Sequence, residues 1–235
     1  MLILILIFIA FISFGIFVAN NAPGEFLKLY KTYKRINIEN QLCVIDFVES
    51  LQQDSKFYSI NYAITQKELQ DSYYYKNNTV YISDQTAYGY DVASFAIISH
   101  ELGHAEQNLE GGTLYKSSIL LRKISRSFGW LALPLCITGA ILLFLLGLQS
   151  VEAWIIFSLG AVGLLTILVS SFFVTIIEFD ASKRAISLLS KKKILNSQEL
   201  KRAKKFLKHA GYTYLGNFFS FLLSWTFLVP KAKII

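Results

Sequence analysis

Two histidines and a glutamate lie close together in the middle of the chain, in the run His100-Glu101-Leu102-Gly103-His104. On an α-helix, residues four positions apart point to the same side, so both imidazoles can reach one zinc ion. Zinc lowers the pKa of a water molecule in its open coordination position, and Glu101 can then take the proton and pass it to a leaving amine. The pattern predicts peptide-bond hydrolysis, with His100 and His104 as ligands of one Zn²⁺ ion and Glu101 as the general base.

The same residues can also occur in a helix without metal, as solvated or core histidines. Only three histidines are present in the chain, so a chance occurrence of this pattern is on the order of one in a hundred or less. Gly103, between the histidines, leaves room for another element to approach closely. Both observations favour a metal site.

A catalytic zinc site usually has three protein ligands, so one more must come from elsewhere in the chain. Glu178 is preferred because it ends a long apolar run, where a carboxylate is costly without a cation beside it. The alternative is an interfacial acid, or an ion-pair partner of Lys183 or Arg184. Other candidates are Glu106, Glu110, Asp180 and His209, of which His209 lies among lysines and is more typical of a solvated side chain.

Asp180 is predicted to support the site by accepting the N–H of a zinc-bound imidazole, which fixes the tautomer of the ring. It can equally cap a helix that begins at Ala181. A group of tyrosines precedes the HExxH helix and can include a donor to the reacting carbonyl or a wall of the substrate site, although packing is the usual role. They are Tyr73, Tyr74, Tyr75, Tyr81, Tyr88 and Tyr90.

Turn signals and periodicity predict the elements that position these residues. Asp91 is a suitable N-cap for a helix over 92–109, and Gly111-Gly112 marks its end. Residues 58–64 and 79–83 alternate and are rich in aromatic and β-branched side chains, which predicts two short paired strands. An exposed edge strand beside the metal would let an extended peptide pair with its backbone.

The composition, 54% hydrophobic and 15% aromatic, predicts a membrane protein. Three uncharged runs, 2–18, 128–148 and 153–177, can cross a hydrocarbon core about 30 Å thick, which needs roughly 20 helical residues. No basic residue precedes the apolar part of the first run, so we expect an uncleaved anchor and not a signal peptide. The run 212–229 contains hydroxyl and amide side chains, and both a spanning and an interfacial position stay open.

Basic residues follow the first run, precede the second and follow the third, whereas the turn 149–152 has none. Positive segments stay in the cytoplasm, so the N-terminus and this turn are predicted to face outward and the polar regions inward. The net charge of +7 therefore suits an anionic lipid bilayer, and nucleic acid is not expected as a partner. Cys43 and Cys136 are too few for a disulfide framework or a cysteine metal site.

These patterns predict an α-rich membrane protein with a zincin-like α+β catalytic region and a short β-hairpin, fused to a transmembrane helical hairpin and an N-terminal anchor helix. The anchor is predicted at 1–19, with a turn at 20–24 after it. A cytoplasmic catalytic region follows at 20–127, and then a transmembrane hairpin at 128–177. The cytoplasmic segment 178–235 carries the third ligand, a lysine-rich helix over 198–209 and the C-terminal hydrophobic helix.

Several further runs accompany the HExxH motif in order: 69–74, Thr79-Val80-Tyr81-Ile82-Ser83, Tyr90-Asp91, Ala105-Glu106-Gln107, Glu178-Phe179-Asp180-Ala181-Ser182-Lys183-Arg184-Ala185 and Tyr212-Thr213-Tyr214. Over nearly its whole length the chain resembles the family of bacterial membrane proteins named "putative neutral zinc metallopeptidase" and typified by YugP. The resemblance implies Glu178 as third zinc ligand, Asp180 as a residue that supports the ligands, and the bacterial plasma membrane as location. Glu106 departs from the family pattern, which has a small or apolar residue there.

The resulting expectation is a zinc endopeptidase that cleaves membrane proteins or cytoplasmic segments near the bilayer, with a role in protein quality control. An intramembrane protease is disfavoured because the apolar residues before His100 are too few and Glu101, Glu106 and Glu110 crowd the other side. A zinc-stabilised membrane scaffold or accessory protein without peptidase turnover is the non-enzymatic alternative. Such a protein would need the metal ligands but not Glu101.

Overall fold

A computed structural model describes residues 2–53, 56–66 and 70–223. The chain divides into two compact units, one formed by residues 1–112 and 177–235 and the other by residues 113–176. In chain order the described elements are α1 (Leu2–Tyr33), α2 (Val44–Gln52), β1 (Asn61–Thr65), β2 (Ser72–Tyr74), β3 (Thr79–Ser83), α3 (Asp84–Ala87), α4 (Val92–Leu109), α5 (Thr113–Leu146), α6 (Val151–Lys191) and α7 (Ser197–Leu223). The predicted helix-rich architecture with a small β element is confirmed.

The strands of the first unit form a three-stranded sheet in the order β1-β3-β2. β1 and β3 pair in parallel, with Tyr62 opposite Val80, and β2 pairs antiparallel with the other side of β3. The predicted pairing of 58–64 with 79–83 is therefore confirmed for residues 61–64, although it is parallel, and the short hairpin joins β2 to β3. Parallel strands need a long crossover connection, which residues 66–78 provide, and β2 lies within that connection.

The core of the first unit lies between the sheet and the helices around it. Phe47 of α2 and Phe95 of α4 are fully buried, with ring centroids 5.6 Å apart. Val80 on β3 and Leu189 near the end of α6 complete the same cluster. Each such side chain contributes about 1.5–3 kcal/mol on burial, so α4 and the last part of α6 have firm positions.

The N-terminal helix continues where a turn was expected. α1 runs through residues 20–24 with Pro23 inside it, so the predicted turn is wrong. Proline removes one hydrogen bond of the helix. Packing on α7 offsets that loss, since a Cβ added at Gly216 would lie 3.4 Å from the backbone of both Val18 and Ala19. Tertiary contact therefore outweighs the local turn signal.

The second unit, residues 113–176, is a hairpin of two antiparallel helices. Gly139 and Gly160 lie against the backbone of the opposite helix, at Phe157 and Cys136, and small residues at such contacts are typical of helices in membranes. Among the described residues, α5 and α6 are long and apolar enough to cross a bilayer. Spanning by residues 2–18, which are helical, stays a prediction. Of the run 212–229, residues 224–229 lie outside the described residues.

Candidate metal centre

The helix that carries the HExxH motif begins and ends where the sequence predicts. Asp91 is its N-cap, and its Oδ1 accepts the N–H of Ser94 at 2.9 Å. Gly111, with a φ of +64°, follows the last turn of α4. A left-handed residue at this place commonly ends a helix. His100, Glu101 and His104 therefore occupy the middle of a firmly bounded helix.

Three side chains from α4 and α6 meet at one point. The Nε2 atom of His100 lies 3.0 Å from Oε2 of Glu178, and the Nε2 atom of His104 lies 3.4 Å from the same oxygen. The possible ligand atoms of the three residues all lie within 4.8 Å of one another. Glu178 is buried, with 3% of its surface exposed. The structure thus brings the three predicted ligands together.

The electrostatics of this group are those of an anion and a cation held side by side. Burial alone would raise the pKa of Glu178, but the two imidazoles next to it, His104 foremost, bring it well below its usual range. Burial would lower the pKa of His104, but the Glu178 carboxylate outweighs it and raises the pKa to about 9. Without metal, a proton on His104 supplies the positive charge that Glu178 needs.

Comparisons with known proteins also point to zinc. The family model described as "Putative neutral zinc metallopeptidase" matches residues 3–230. The chain belongs to this family. Among curated proteins, it is 30% identical over 154 residues to "Putative membrane protease YugP" of Bacillus subtilis (strain 168), which covers 63% of this chain and 61% of that protein. The chain thus spans about three fifths of that relative, and no solved structure matches it.

In this family member, Gln107 connects a histidine to α6. The Gln107 Nε2 atom donates to the carbonyl oxygen of Ile177 at 3.0 Å and to Oδ2 of Asp180 at 2.8 Å. These two acceptors fix the amide so that its Oε1 atom faces Nδ1 of His104, at 3.0 Å. An oxygen there can only accept, so Nδ1 carries a proton. In the neutral ring Nε2 then has a lone pair directed at the candidate metal position.

Asp180 supports His104 indirectly, through Gln107, and not by the direct hydrogen bond to an imidazole that was predicted. It accepts from Gln107 and from Nε of Arg184 at 2.7 Å, and it makes no hydrogen bond to an imidazole in the described structure. Burial would raise its pKa, but these donors lower it. The capping alternative is wrong because α6 runs unbroken through Asp180 and Ala181. Ser182 lies beside the other histidine instead, with Oγ 3.3 Å from Nδ1 of His100.

Glu101 is oriented by the backbone of β2. Its Oε2 atom accepts the N–H of Tyr73 at 2.7 Å. Burial, foremost, raises the pKa of the Glu101 carboxyl. The Tyr73 hydroxyl donates to Oδ1 of Asn78 at 2.6 Å and accepts from Nδ2 of Asn108 at 2.7 Å. Tyr73 therefore contributes to the site through its backbone, and its ring is held in place by two amides.

The remaining ligand candidates have other partners. Glu106 and Glu110 both form ion pairs with Lys56 and Arg184. His209 lies on α7, where its Nδ1 atom is 2.8 Å from the carbonyl oxygen of Lys205. Within the described residues, none of these side chains belongs to the group formed by His100, His104 and Glu178. They are therefore excluded as candidate ligands.

Proposed function

We propose that this protein is a zinc-dependent endopeptidase that hydrolyses peptide bonds of membrane or membrane-proximal proteins. The proposal rests on the close approach of two imidazole nitrogens and one buried carboxylate oxygen. Glu101 lies on the same helix as the two imidazoles. Two histidines and a glutamate are a usual donor set of catalytic zinc. The fixed tautomer of His104 suits the same ion, as does the name of the family.

The protein's own residues divide the work of the reaction. Zinc, when bound by His100, His104 and Glu178, supplies a Lewis acid that polarises the scissile carbonyl and activates water. Glu101 is held at Oε2 by the N–H of Tyr73, so Oε1 is the atom that removes the proton from the attacking water. Because the pKa of Glu101 is raised, its carboxylate is a stronger base toward the attacking water. Once protonated, it can return the proton to the leaving amine.

The proposed function is tested by comparing wild type with Glu101→Gln. The amide keeps the shape of the side chain but cannot take a proton, so we expect wild-type zinc content and a loss of casein cleavage of about 10²- to 10⁴-fold. Glu49→Gln, at an exposed position on α2, is the matched control. Equal turnover by wild type and Glu101→Gln rejects the mechanism and favours a zinc-stabilised scaffold.

The proposal places the site on the cytoplasmic side of the plasma membrane, where a role in protein quality control would follow. Glu178 directly follows the apolar run 153–177 within α6, and lysines come after it. Gln149→Cys should react with a membrane-impermeant maleimide in intact cells, and Lys192→Cys only after lysis. Cys43 and Cys136 are both buried and would be replaced by alanine first. The reverse labelling pattern contradicts this orientation.

A further inference from the structure

The first unit contains an apolar cavity of about 380 Å³ beside the candidate metal ligands. His100 and Glu101 form part of its wall. The rest comes largely from apolar side chains of three helices, among them Phe26 and Leu27 on α1, Ile97 on α4, and Phe206 and Ala210 on α7. The volume lies in the range of pockets that hold small ligands, so it is large enough for one aromatic side chain.

We propose that this cavity binds a large apolar side chain of the substrate, aromatic or branched aliphatic, next to the peptide bond that is cleaved. The inference rests on the proposed peptidase function. Because His100 and Glu101 belong to both the cavity and the candidate metal centre, a group inside the cavity is adjacent to the reacting atoms. Because the cavity adjoins the candidate metal centre, we expect it to hold a side chain of the substrate and not a separate small molecule.

Within the described residues, the two carboxylates that line the cavity already have hydrogen-bond donors. Asp71 accepts the N–H of Ser83 at 2.8 Å and the hydroxyl of Thr86 at 3.0 Å, and Glu101 accepts from Tyr73. A basic side chain is therefore not needed to satisfy either acid.

The charge around the cavity mouth also disfavours a basic occupant. Gly24 and Leu27 belong to the cavity and to a neighbouring depression lined by Lys28, Lys31 and Arg35. These cations repel a lysine or arginine that approaches past Leu27. An apolar side chain meets no such barrier and gains from leaving water.

The direct test uses three peptides of serine and glycine that differ in one central residue, Phe, Ala or Lys. Full-length zinc-loaded protein cleaves them, and mass spectrometry locates the cut. We expect cleavage beside Phe, with kcat/KM lower by roughly 10- to 200-fold for the Ala peptide and lower still for Lys. Equal cleavage of the Phe and Ala peptides, or a preference for Lys, overturns the inference while the peptidase function stands.

Two variants alter the cavity itself. Ala210→Leu reduces the cavity volume from α7, so we expect kcat/KM for the Phe peptide to fall by about tenfold or more, with a smaller loss for the Ala peptide. Lys204→Leu adds the same side chain at an exposed position of the same helix and should leave both values unchanged. Leu27→Ala, at a position that is 37% exposed, should raise KM for the Phe peptide with little loss of stability.

A binding measurement separates failure of this inference from failure of the proposed function. Labelled forms of the three peptides are titrated into Glu101→Gln protein in lipid nanodiscs and in detergent. Roughly tenfold or tighter binding of the Phe peptide supports the cavity assignment even where wild type shows no turnover. Equal binding of all three peptides overturns the cavity assignment. A preference for the Phe peptide that is present in detergent but absent in nanodiscs also overturns it, because a lipid chain then fills the cavity.

Discussion

Gly103 lies against the backbone of Ala181. A Cβ at position 103 would come within 2.5 Å of the Ala181 carbonyl oxygen and 3.1 Å of its carbonyl carbon. Only glycine permits this approach of α4 to α6, and Glu178 is one turn before Ala181 on α6. The glycine inside the HExxH motif therefore allows the helix that carries Glu178 to reach the two histidines.

Gly103→Ala should separate the two helices. The added methyl meets backbone atoms and not a flexible side chain, so we expect a loss of about 1–3 kcal/mol in stability and weaker zinc binding. Thermal unfolding and zinc content of the purified protein measure both effects. Gly112→Ala is the control, since a Cβ there has nothing within 4 Å. Full zinc content and unchanged stability in Gly103→Ala would show that the close approach is not required.

Gln107→Leu should weaken zinc binding without touching a ligand. The leucine cannot accept the Nδ1–H of His104 or donate to Asp180, so the imidazole loses its orientation. We expect zinc affinity to fall by roughly 10- to 100-fold, measured by competition with a chromophoric chelator. Gln198→Leu, at an exposed position of α7, should bind zinc as wild type does. Wild-type affinity in Gln107→Leu would mean that the hydrogen bond does not orient the ring.

The charge pair of His104 and Glu178 predicts a pH effect in metal-free protein. The pKa of His104 is raised from 6.5 to about 9 in the folded state. A raised pKa gives stability that is complete below about pH 6.5, the unfolded value, and is lost as the pH rises through about 9. We expect the Tm of chelator-treated protein to fall across this window.

The same charge pair also predicts proton release on metal binding. Zinc added at pH 7 has to displace the proton on His104, so we expect release of about one proton per ion. Calorimetry in buffers of different ionisation enthalpy measures this number. Glu178→Gln should flatten the pH dependence of the Tm, because the carboxylate is what raises the pKa of His104. An unchanged slope in that variant contradicts the assignment.

Local signals in the sequence were sufficient for the helix that carries the motif. The Asp91 cap, the apolar residues after it and Gly111 are all short-range features, and they determine where α4 begins and ends. Glu178 could be chosen from the sequence as the candidate third ligand, because a carboxylate directly after an apolar run is costly without a cation beside it. Gln107 was missed as a partner of His104, although its place three residues later on one helix face is a usable signal.

Other features depend on tertiary contacts that a single sequence does not display. The turn signal at 20–24 is overridden by packing of α1 on α7, and the parallel pairing of β1 with β3 depends on which strand occupies the centre of the sheet. The N–H of Tyr73 that holds Glu101 is a backbone group, which every residue except proline possesses. Side-chain types therefore gave no signal for this contact.

If Glu178 completes the metal site that His100 and His104 begin, its removal should release the ion, and zinc analysis of Glu178→Ala measures this. Wild type should hold one zinc ion per chain after dialysis, and so should Glu110→Ala, which removes an acid that pairs with Arg184 on the protein surface. Glu178→Ala should lose nearly all zinc while remaining folded by circular dichroism. A full equivalent of zinc retained by folded Glu178→Ala would show that Glu178 is not a ligand.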